Sequence, residues 1–296
     1  MQNTYITKRL TLTELDVVDD VFITKLVNTP EWIQFIGDRN IKTKVDARLF
    51  IQKIRDNPKA NYWVVKLPGQ ISIGIITFIK RDYLEHYDIG FAFLSGYAKK
   101  GYAYEATLTV LNDVIQDPHH KHILATTVKE NKYSIKLLEK LGLRCVNELE
   151  HGIDLLWVYS ASVDKLLINQ VTRDFFDLFT NARQEKPALD KIHSLCLSET
   201  IVIKKNTDKE EIFTIDTFLE PRKRILSDGT LKEFEENELT EETVVIGNLA
   251  QRFSRYEKKG FLNGNYFEGN GHKLFQYIRT SNGWKINSVI WEDENS

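Results

Sequence analysis

The stretch from residue 88 to residue 106 constrains the fold most, because a strand-like run passes there through a short basic loop into a helix. A strand is predicted over residues 88–94, and the loop after it carries Lys99, Lys100 and Gly101. The helix is indicated by small and apolar residues at helical spacing, namely Ala103, Ala106, Thr107, Val110, Leu111 and Val114. Since the first N–H groups of a helix lack partners and lie at the positive end of its dipole, this turn predicts a phosphate or pyrophosphate site. The alternative is a glycine that makes an ordinary strand-to-helix turn.

A second informative stretch, residues 131–143, follows a predicted strand at the distance expected of a neighbouring helix in the same sheet. Its sequence is Asn-Lys-Tyr-Ser-Ile-Lys-Leu-Leu-Glu-Lys-Leu-Gly-Leu. Ile135, Leu138 and Leu141 recur at helical spacing, and Gly142 is suited to end the helix.

A change of sequence character near Ala161 to Asp164 divides the chain into two predicted domains, residues 1–162 and residues 163–296. A length of 296 residues also favours about two domains. In the first domain, helices are predicted at 16–27 and 45–54, and strands at 61–67, 71–79, 88–94, 123–128 and 153–159. In the second, a long amphipathic helix begins at Val163, strands are predicted at 243–256, 271–279 and 284–291, and the acidic stretch 233–242 is expected at a solvated edge or loop.

Composition excludes several kinds of protein. The chain has 40 Lys+Arg and 42 Asp+Glu, a net charge of −2, so it lacks the basic surplus that binds nucleic-acid backbones. We expect no membrane partner, since no apolar run approaches the ~18 to 20 residues that span a bilayer. Cys145 and Cys196 are far apart, which favours neither a disulfide framework nor a cysteine zinc site, and a cytoplasmic location is expected. His119, His120 and His122 are interpreted as a loop rather than a metal site.

Together, the two stretches resemble the pyrophosphate loop and the following N-x-x-S-x-x-L-L-E-K-L-G-F helix of the GNAT superfamily of N-acetyltransferases. The resemblance covers residues 8 to 160, and Gly-Tyr-Ala-Tyr-Glu-Ala at 101–106 is similar to the G-Y-A-T-E-A of the ribosomal-protein N-terminal acetyltransferase branch. It implies an α+β fold, with a mixed, splayed β-sheet and helices on both faces.

The resemblance also implies acetyl-CoA as the acetyl donor. The residues it implies for binding are Phe93 and Leu94 along the strand, Lys99, Lys100, Gly101, Tyr102, Ala103 and Tyr104 at the pyrophosphate, and Asn131 at the pantetheine arm. The family usually has Gln or Arg three residues before the glycine, whereas this chain has Ala98. One side-chain contact is therefore missing, although backbone N–H groups do not depend on the residue type.

Catalysis needs a group that removes a proton from the attacking amine, directly or through water. Asp88 occupies the position where many relatives carry a glutamate, and the alternative is a carboxylate that only orders the strand edge. A main-chain N–H near Phe93 or Leu94 is expected to stabilise the oxyanion. Many relatives place a tyrosine acid where this chain has Leu138, which leaves Ser134, Tyr133 or water to protonate the sulfur; the alternative role of Ser134 is helix capping.

The acceptor is expected to be a small-molecule or peptide primary amine that attacks acetyl-CoA directly in a ternary complex. Trp32, Phe35, Asp38 and Arg39 lie in the region that forms one wall of the acceptor cleft in such folds. Asp38 suits a cationic amine and Arg39 an acidic group, while core packing is the alternative role of the two aromatic residues. Tyr83 and His86 lie in the loop before the strand that carries Asp88.

The second half resembles the cone-shaped α+β domains of the nuclear transport factor two-like superfamily, including SnoaL-like modules, over about residues 165 to 293. Phe175 and Phe176, residues 214–222 and residues 271–291 carry this resemblance. It implies a curved antiparallel sheet, a homodimer formed through the open face of that sheet, and space for a small ligand.

Two alternatives to an N-acetyltransferase remain open at this point. In one, the first half keeps acetyl-CoA binding but has lost catalysis, as a binding or sensing module, which is consistent with the departure of Ala98 and Leu138 from the family pattern. Otherwise the second half is the working enzyme, of an isomerase or dehydratase type. Its candidate acid–base groups are His193 and Asp216, and its candidate anion-binding residues are Arg222, Arg252 and Arg255.

Overall fold

The computed structural model describes residues 1–152, 154–182 and 187–294. The chain forms two compact units, Met1–Leu166 and Leu167–Ser296. The division between the two units falls within the helix Val163–Asp177. The boundary predicted from the sequence, between residues 162 and 163, lies directly before this helix.

The first unit is a mixed eight-stranded sheet with helices between its strands, in the strand order β1-β2-β3-β4-β5-β6-β8-β7. The helices are α1 (Asp20–Val27), α2 (Pro30–Phe35), α3 (Lys44–Arg55), α4 (Tyr102–Val114) and α5 (Lys132–Lys140), with 3-10 turns at Val17–Asp19 and Ser95–Tyr97. The strands are β1 (Thr4–Ile6), β2 (Thr11–Glu14), β3 (Ala60–Leu67), β4 (Ile71–Ile79), β5 (Asp88–Phe93), β6 (His122–Val128), β7 (Arg144–His151) and β8 (Asp154–Ser162).

Each predicted helix and strand of the first half has a counterpart in the structure. The helix predicted over 16–27 is a 3-10 turn followed by α1, and the strand predicted over 153–159 corresponds to β8, with Ile153 itself outside the described residues. β1, β2, α2 and β7 were not predicted, because they are short or, like β7, mostly exposed and therefore carry little apolar periodicity.

Neighbouring side chains on β3 show that helices cover both faces of this sheet. Val64 packs in one core with residues of α1, α2 and α3. Trp63 points to the opposite face, since side chains alternate along a strand, and its ring contacts Tyr5 at 5.7 Å between centroids. The Tyr5 hydroxyl donates to Asp113 of α4 at 2.8 Å, so α4 lies on the face away from α3.

β5 and β6 are parallel and separate soon after they meet. Their described pairing consists of Asp88 opposite Leu124, and the Leu124 N–H donates to the Tyr87 carbonyl at 2.9 Å. Beyond this point the two strands diverge, which leaves one edge of β5 open and confirms that the sheet is mixed and splayed.

The second unit is a six-stranded sheet in the order β10-β9-β14-β13-β12-β11, with helices packed on one face. Its helices are α6 (Val163–Asp177), α7 (Ile192–Leu195) and α8 (Ile215–Ser227), with a 3-10 turn at Leu189–Lys191. Its strands are β9 (Cys196–Lys205), β10 (Glu210–Phe213), β11 (Leu231–Ile246), β12 (Leu249–Leu262), β13 (Asn265–Thr280) and β14 (Gly283–Asp293).

Two features of this sheet differ from the sequence-based expectation. β14 and β9 run parallel, so the sheet is not wholly antiparallel as predicted. The acidic stretch 233–242 lies within the edge strand β11 as predicted, but it is not solvated throughout, since Glu236 is buried against Lys273 and Glu241 pairs with the buried Arg252. An edge strand tolerates many like charges because its outer side remains in water.

Candidate active site

A cleft of about 1180 Å³ lies in the first unit where β5 and β6 separate. Its walls come from α2 and α3 at one end and from the loop before α4 and from α5 at the other. Ile89 to Phe93 of β5 and Ala125 to Thr127 of β6 form its floor. The cleft therefore joins the predicted phosphate loop to the predicted acceptor wall.

The open edge of β5 presents backbone donors to the cleft. The Leu94 N–H donates to the Ile73 carbonyl at 2.9 Å, and Phe93 lies opposite Gly74 in the β4–β5 register. Because N–H groups alternate in direction along an antiparallel strand, those of Phe91 and Phe93 point away from β4. Of the two predicted residues, Leu94 has its N–H already bonded and its side chain in the core, whereas Phe93 is a suitable donor.

The loop before α4 has the backbone conformation of an anion site. Gly101 caps the helix with φ of +79°, and Lys99 also has a positive φ of 59°. Within the described chain, the N–H groups of Tyr102, Ala103 and Tyr104 have no hydrogen-bond acceptor, because the first intrahelical bond is that of Glu105 to Gly101. These three residues and Lys99 line the cleft. Lys100 differs, since its side chain lies over the Tyr97 ring, outside the cleft lining.

Arg9 supports this loop from behind, a role that sequence reasoning missed. Its guanidinium donates to the Lys100 carbonyl at 2.9 Å and pairs with Glu105 at 2.6 Å. It also lies 4.7 Å from the centre of the Tyr102 ring. Burial raises the pKa of Glu105, but hydrogen bonds from Thr7 and Arg9 outweigh it and hold that pKa below its ordinary value. No local signal identifies Arg9, because more than ninety residues separate it from its partners.

Asp88 begins β5, lines the cleft and is only 1% exposed. Both of its carboxylate oxygens lie 2.9 Å from Nε of Arg81, a half-buried residue that sequence reasoning missed. Burial raises the pKa of Asp88, while the charge of Arg81 and hydrogen bonds from Arg81 and Thr126 act in the opposite direction. The pair therefore places a desolvated carboxylate at the cleft, with a cation that favours its ionised form.

Asn131 and Ser134 stand at the start of α5 and line the cleft. The Asn131 side chain accepts from the Ser134 N–H at 3.1 Å, so the helix cap is Asn131 and not Ser134. The Ser134 hydroxyl is half-buried and forms no hydrogen bond with the described residues. Leu138 is buried behind it, whereas the Tyr133 side chain is 72% exposed with Lys99 5.7 Å from its ring centre.

The structure places three of the four residues predicted for the acceptor wall at the cleft. Trp32, Phe35 and Arg39 line the cleft, and Trp32 is 5% exposed with its indole N–H lacking a partner among the described residues. Asp38 does not line the cleft but accepts from the Asn40 N–H at 2.7 Å in a turn. A half-buried tyrosine, Tyr62, lies at this wall and was not predicted.

Two residues of the loop before β5 lie elsewhere. Tyr83 stacks on His151 with ring centres 4.0 Å apart, and His86 stacks on His122 at 5.2 Å. Neither lines the cleft. The described residues contain no cluster of three or more His, Cys, Asp or Glu side chains suited to hold a metal ion. Among them there is also no helix of the length and apolarity needed to cross a membrane.

Comparison with known proteins identifies the first unit. Residues 9–144 match the family model described as "Acetyltransferase (GNAT) domain". Over these residues the first unit is similar to GNAT acetyltransferase domains. The protein is accordingly an acyltransferase, and GNAT domains use acetyl-CoA as the donor.

Individual relatives of the GNAT domain cover about half of this chain. The uncharacterised N-acetyltransferase YnaD of Bacillus subtilis (strain 168) is 28% identical over 138 residues, which are 47% of this chain and 81% of YnaD. An acetyltransferase (GNAT family) from Bacillus anthracis is 26% identical with a TM-score of 0.47, covering 54% of this chain and 98% of that one. Spermidine N-acetyltransferase from Vibrio cholerae, solved with CoA and spermine, is 17% identical with a TM-score of 0.48, covering 54% and 99%.

Proposed function

We propose that the GNAT domain transfers an acetyl group from acetyl-CoA to a primary amine by direct attack in a ternary complex. One observation carries this proposal: a single cleft contains both the free N–H groups at the start of α4 and the buried carboxylate of Asp88. The first feature suits a pyrophosphate and the second suits removal of a proton from an amine.

The donor end of the cleft fits acetyl-CoA. Three consecutive N–H groups from Tyr102 to Tyr104 suit the pyrophosphate, and the positive φ of Gly101 turns the backbone towards it. Lys99, Lys136 and Lys140 line the same end and add positive charge for phosphate groups. The outward N–H groups of β5 suit the amide groups of pantetheine, as an added strand would.

The catalytic steps follow from the groups along the cleft. Asp88 accepts the amine proton, directly or through a water molecule, and the amine nitrogen then forms its bond to the acetyl carbonyl carbon. The Phe93 N–H stabilises the negative oxygen that develops there. The carbon–sulfur bond then breaks, and Ser134 or water supplies a proton to the departing thiolate. Burial raises the pKa of Asp88, which makes its carboxylate a stronger base, while the charge of Arg81 acts in the opposite direction and favours the ionised form.

Release of free thiol with a panel of amines tests this proposal. We expect the full-length protein to release CoA thiol only when acetyl-CoA and an accepted amine are both present. The panel contains polyamines, lysine-bearing peptides, peptide N-termini and aminoglycosides. Calorimetric binding of acetyl-CoA without turnover of any amine would instead support the binding-module alternative, and no binding at all would overturn both.

The alternative that places the activity in the second half has less support. His193 and Asp216 are both exposed, and neither lines the cavity of the second unit. They therefore lack the enclosure that a general acid or base in an isomerase or dehydratase site requires.

We also propose that the second unit forms a homodimer through the outer face of its sheet. The strand registers place an apolar row across five strands of that face: Phe253, Leu274, Ile290, Ile203 and Ile212. Phe253 is 50% exposed and Ile212 is 71% exposed, so both ends of the row are open to solvent. Contiguous apolar surface of this kind is typical of protein interfaces.

Light scattering on the full-length protein tests the dimer. We expect twice the chain mass for the unaltered protein and one chain mass for Phe253→Glu, which places a charge at one end of the row. The control is Gln251→Glu, two residues earlier on the same strand and outside this row. A monomeric unaltered protein, or a Phe253→Glu protein that remains dimeric, would refute this role.

A further inference from the structure

A cavity of about 410 Å³ lies in the second unit between α8 and the inner face of the sheet. This volume is within the range of small-molecule sites in proteins. Aromatic rings form much of its wall: Phe175, Phe179, Phe218, Phe234, Phe267 and Trp291. The cavity is therefore suited to the apolar body of a small molecule.

The charges at this cavity are unbalanced. Its lining contains four cationic side chains and two acidic ones. Lys273 is buried and pairs with Glu236 at 2.6 Å, and Asp293 is shared by Lys258 and Lys204 and accepts from the Tyr256 hydroxyl at 2.6 Å. Both acidic groups are thus occupied by lysines, so neither carboxylate of the lining is paired with Arg222.

Arg222 forms no ion pair with any described residue, although it is half-buried at the cavity wall. Its Nη1 donates to the Phe218 carbonyl at 2.8 Å, and the guanidinium carbon lies 3.6 Å from the centre of the Phe218 ring and 5.8 Å from that of Trp291. Burial lowers the pKa of Arg222 to about 10, which still leaves it charged at neutral pH. An arginine has five N–H donors, so the aromatic rings position the group while most of its donors stay free.

We propose that this cavity binds a small carboxylic acid, with the carboxylate held by Arg222 and an apolar body packed against the aromatic wall. The planar guanidinium matches a carboxylate with two parallel hydrogen bonds. A carboxylate also supplies the negative charge that the four cations and two acids of the lining lack. This site is separate from the acetyl-transfer site, so neither inference depends on the other.

Calorimetry with matched pairs of ligands tests the proposal. The probes are 1-naphthylacetate with its uncharged amide, and octanoate with octanamide, titrated into the full-length protein. We expect at least one carboxylate to bind about 10- to 100-fold more tightly than its amide, as a charge-assisted hydrogen-bonded pair predicts. Arg222→Met should remove this preference, while Arg224→Met, an exposed arginine on the same helix, should keep it.

Unfolding of the ligand-free protein provides a second readout. A partly desolvated cation without an ion-pair partner destabilises the folded state, so Arg222→Met should melt at the same temperature as the unaltered protein or higher. If this variant does not fold, Arg222→Lys replaces it. We expect that protein to bind the carboxylate less tightly, because lysine lacks the planar guanidinium that donates two parallel hydrogen bonds. The proposal would be overturned if neither carboxylate bound saturably. It would also be overturned if the unaltered protein and Arg222→Met preferred the carboxylate over the amide by the same factor.

Discussion

Replacement of Gly101 by alanine tests the phosphate loop most directly. Gly101 has φ of +79°, a conformation that costs an L-residue about 1–2 kcal/mol. A Cβ there would also lie 3.3 Å from Nη2 of Arg9, so the guanidinium that supports the loop would have to move slightly. The backbone therefore either keeps this strain or rotates and turns the free N–H groups away from the pyrophosphate.

The first response changes the melting temperature, and the second changes the affinity for acetyl-CoA. If the strain is kept, the free energy of unfolding falls by the same 1–2 kcal/mol, which lowers the melting temperature by about 2–8 °C for a unit of this size. If the loop rotates, the loss of one charge-assisted hydrogen bond weakens acetyl-CoA binding by about 10- to 100-fold. We expect calorimetry and thermal melting together to detect one or both effects.

Gly96→Ala is the matched control for this substitution. Gly96 belongs to the same connection between β5 and α4, but it has no positive φ and no atom within 4 Å of a Cβ placed on it. Its variant should melt and bind acetyl-CoA like the unaltered protein. The reasoning would be refuted if Gly101→Ala and Gly96→Ala were indistinguishable in both measurements.

Three further substitutions test the neighbouring groups. Asp88→Asn should lower kcat/KM by about 10²- to 10⁴-fold with an unchanged KM for acetyl-CoA. If the variant kept the kcat/KM of the unaltered protein between about pH 6 and 9, Asp88 would have no part in the mechanism. Ser134→Ala should lower kcat if its hydroxyl protonates the sulfur, whereas Tyr133→Phe, on an exposed ring, should not; equal rates for the two variants would contradict the role of Ser134. Because the folded state holds the pKa of Glu105 below its ordinary 4.5, the unfolded chain binds more protons and the contribution of Glu105 to stability is lost as pH falls below that value. Melting curves should therefore converge for the unaltered protein and Glu105→Gln at low pH, and a constant difference between them would contradict this linkage.

Local sequence was sufficient where neighbouring residues determine the structure. The β5 to α4 turn was predicted because Gly101 and the periodic face of α4 lie within fifteen residues of one another. The sequence could not reveal that Leu94 donates its N–H to Ile73, because strand register sets which backbone groups are already bonded.

Asp88 shows which part of a proposed catalytic role the sequence predicts and which part depends on the tertiary structure. Its position at the start of a strand was predicted, and its chemistry depends on Arg81, which lies seven residues earlier in an unpatterned loop. Asp38 shows the opposite case. Its place in the sequence predicts a role at the acceptor wall, but its carboxylate accepts a hydrogen bond from the Asn40 N–H within its own turn.

The sequence by itself therefore determined the longer, strongly periodic helices and strands and predicted the chemical type of the donor site, because backbone periodicity and helix-end polarity are properties of short segments. Only the tertiary structure decided which charges meet. It placed Arg9 behind the phosphate loop, and it put Arg222 in an aromatic cavity with no ion-pair partner among the described residues. Those outcomes depend on contacts between residues far apart in the chain, where the burial of one partner sets the electrostatic environment of the other.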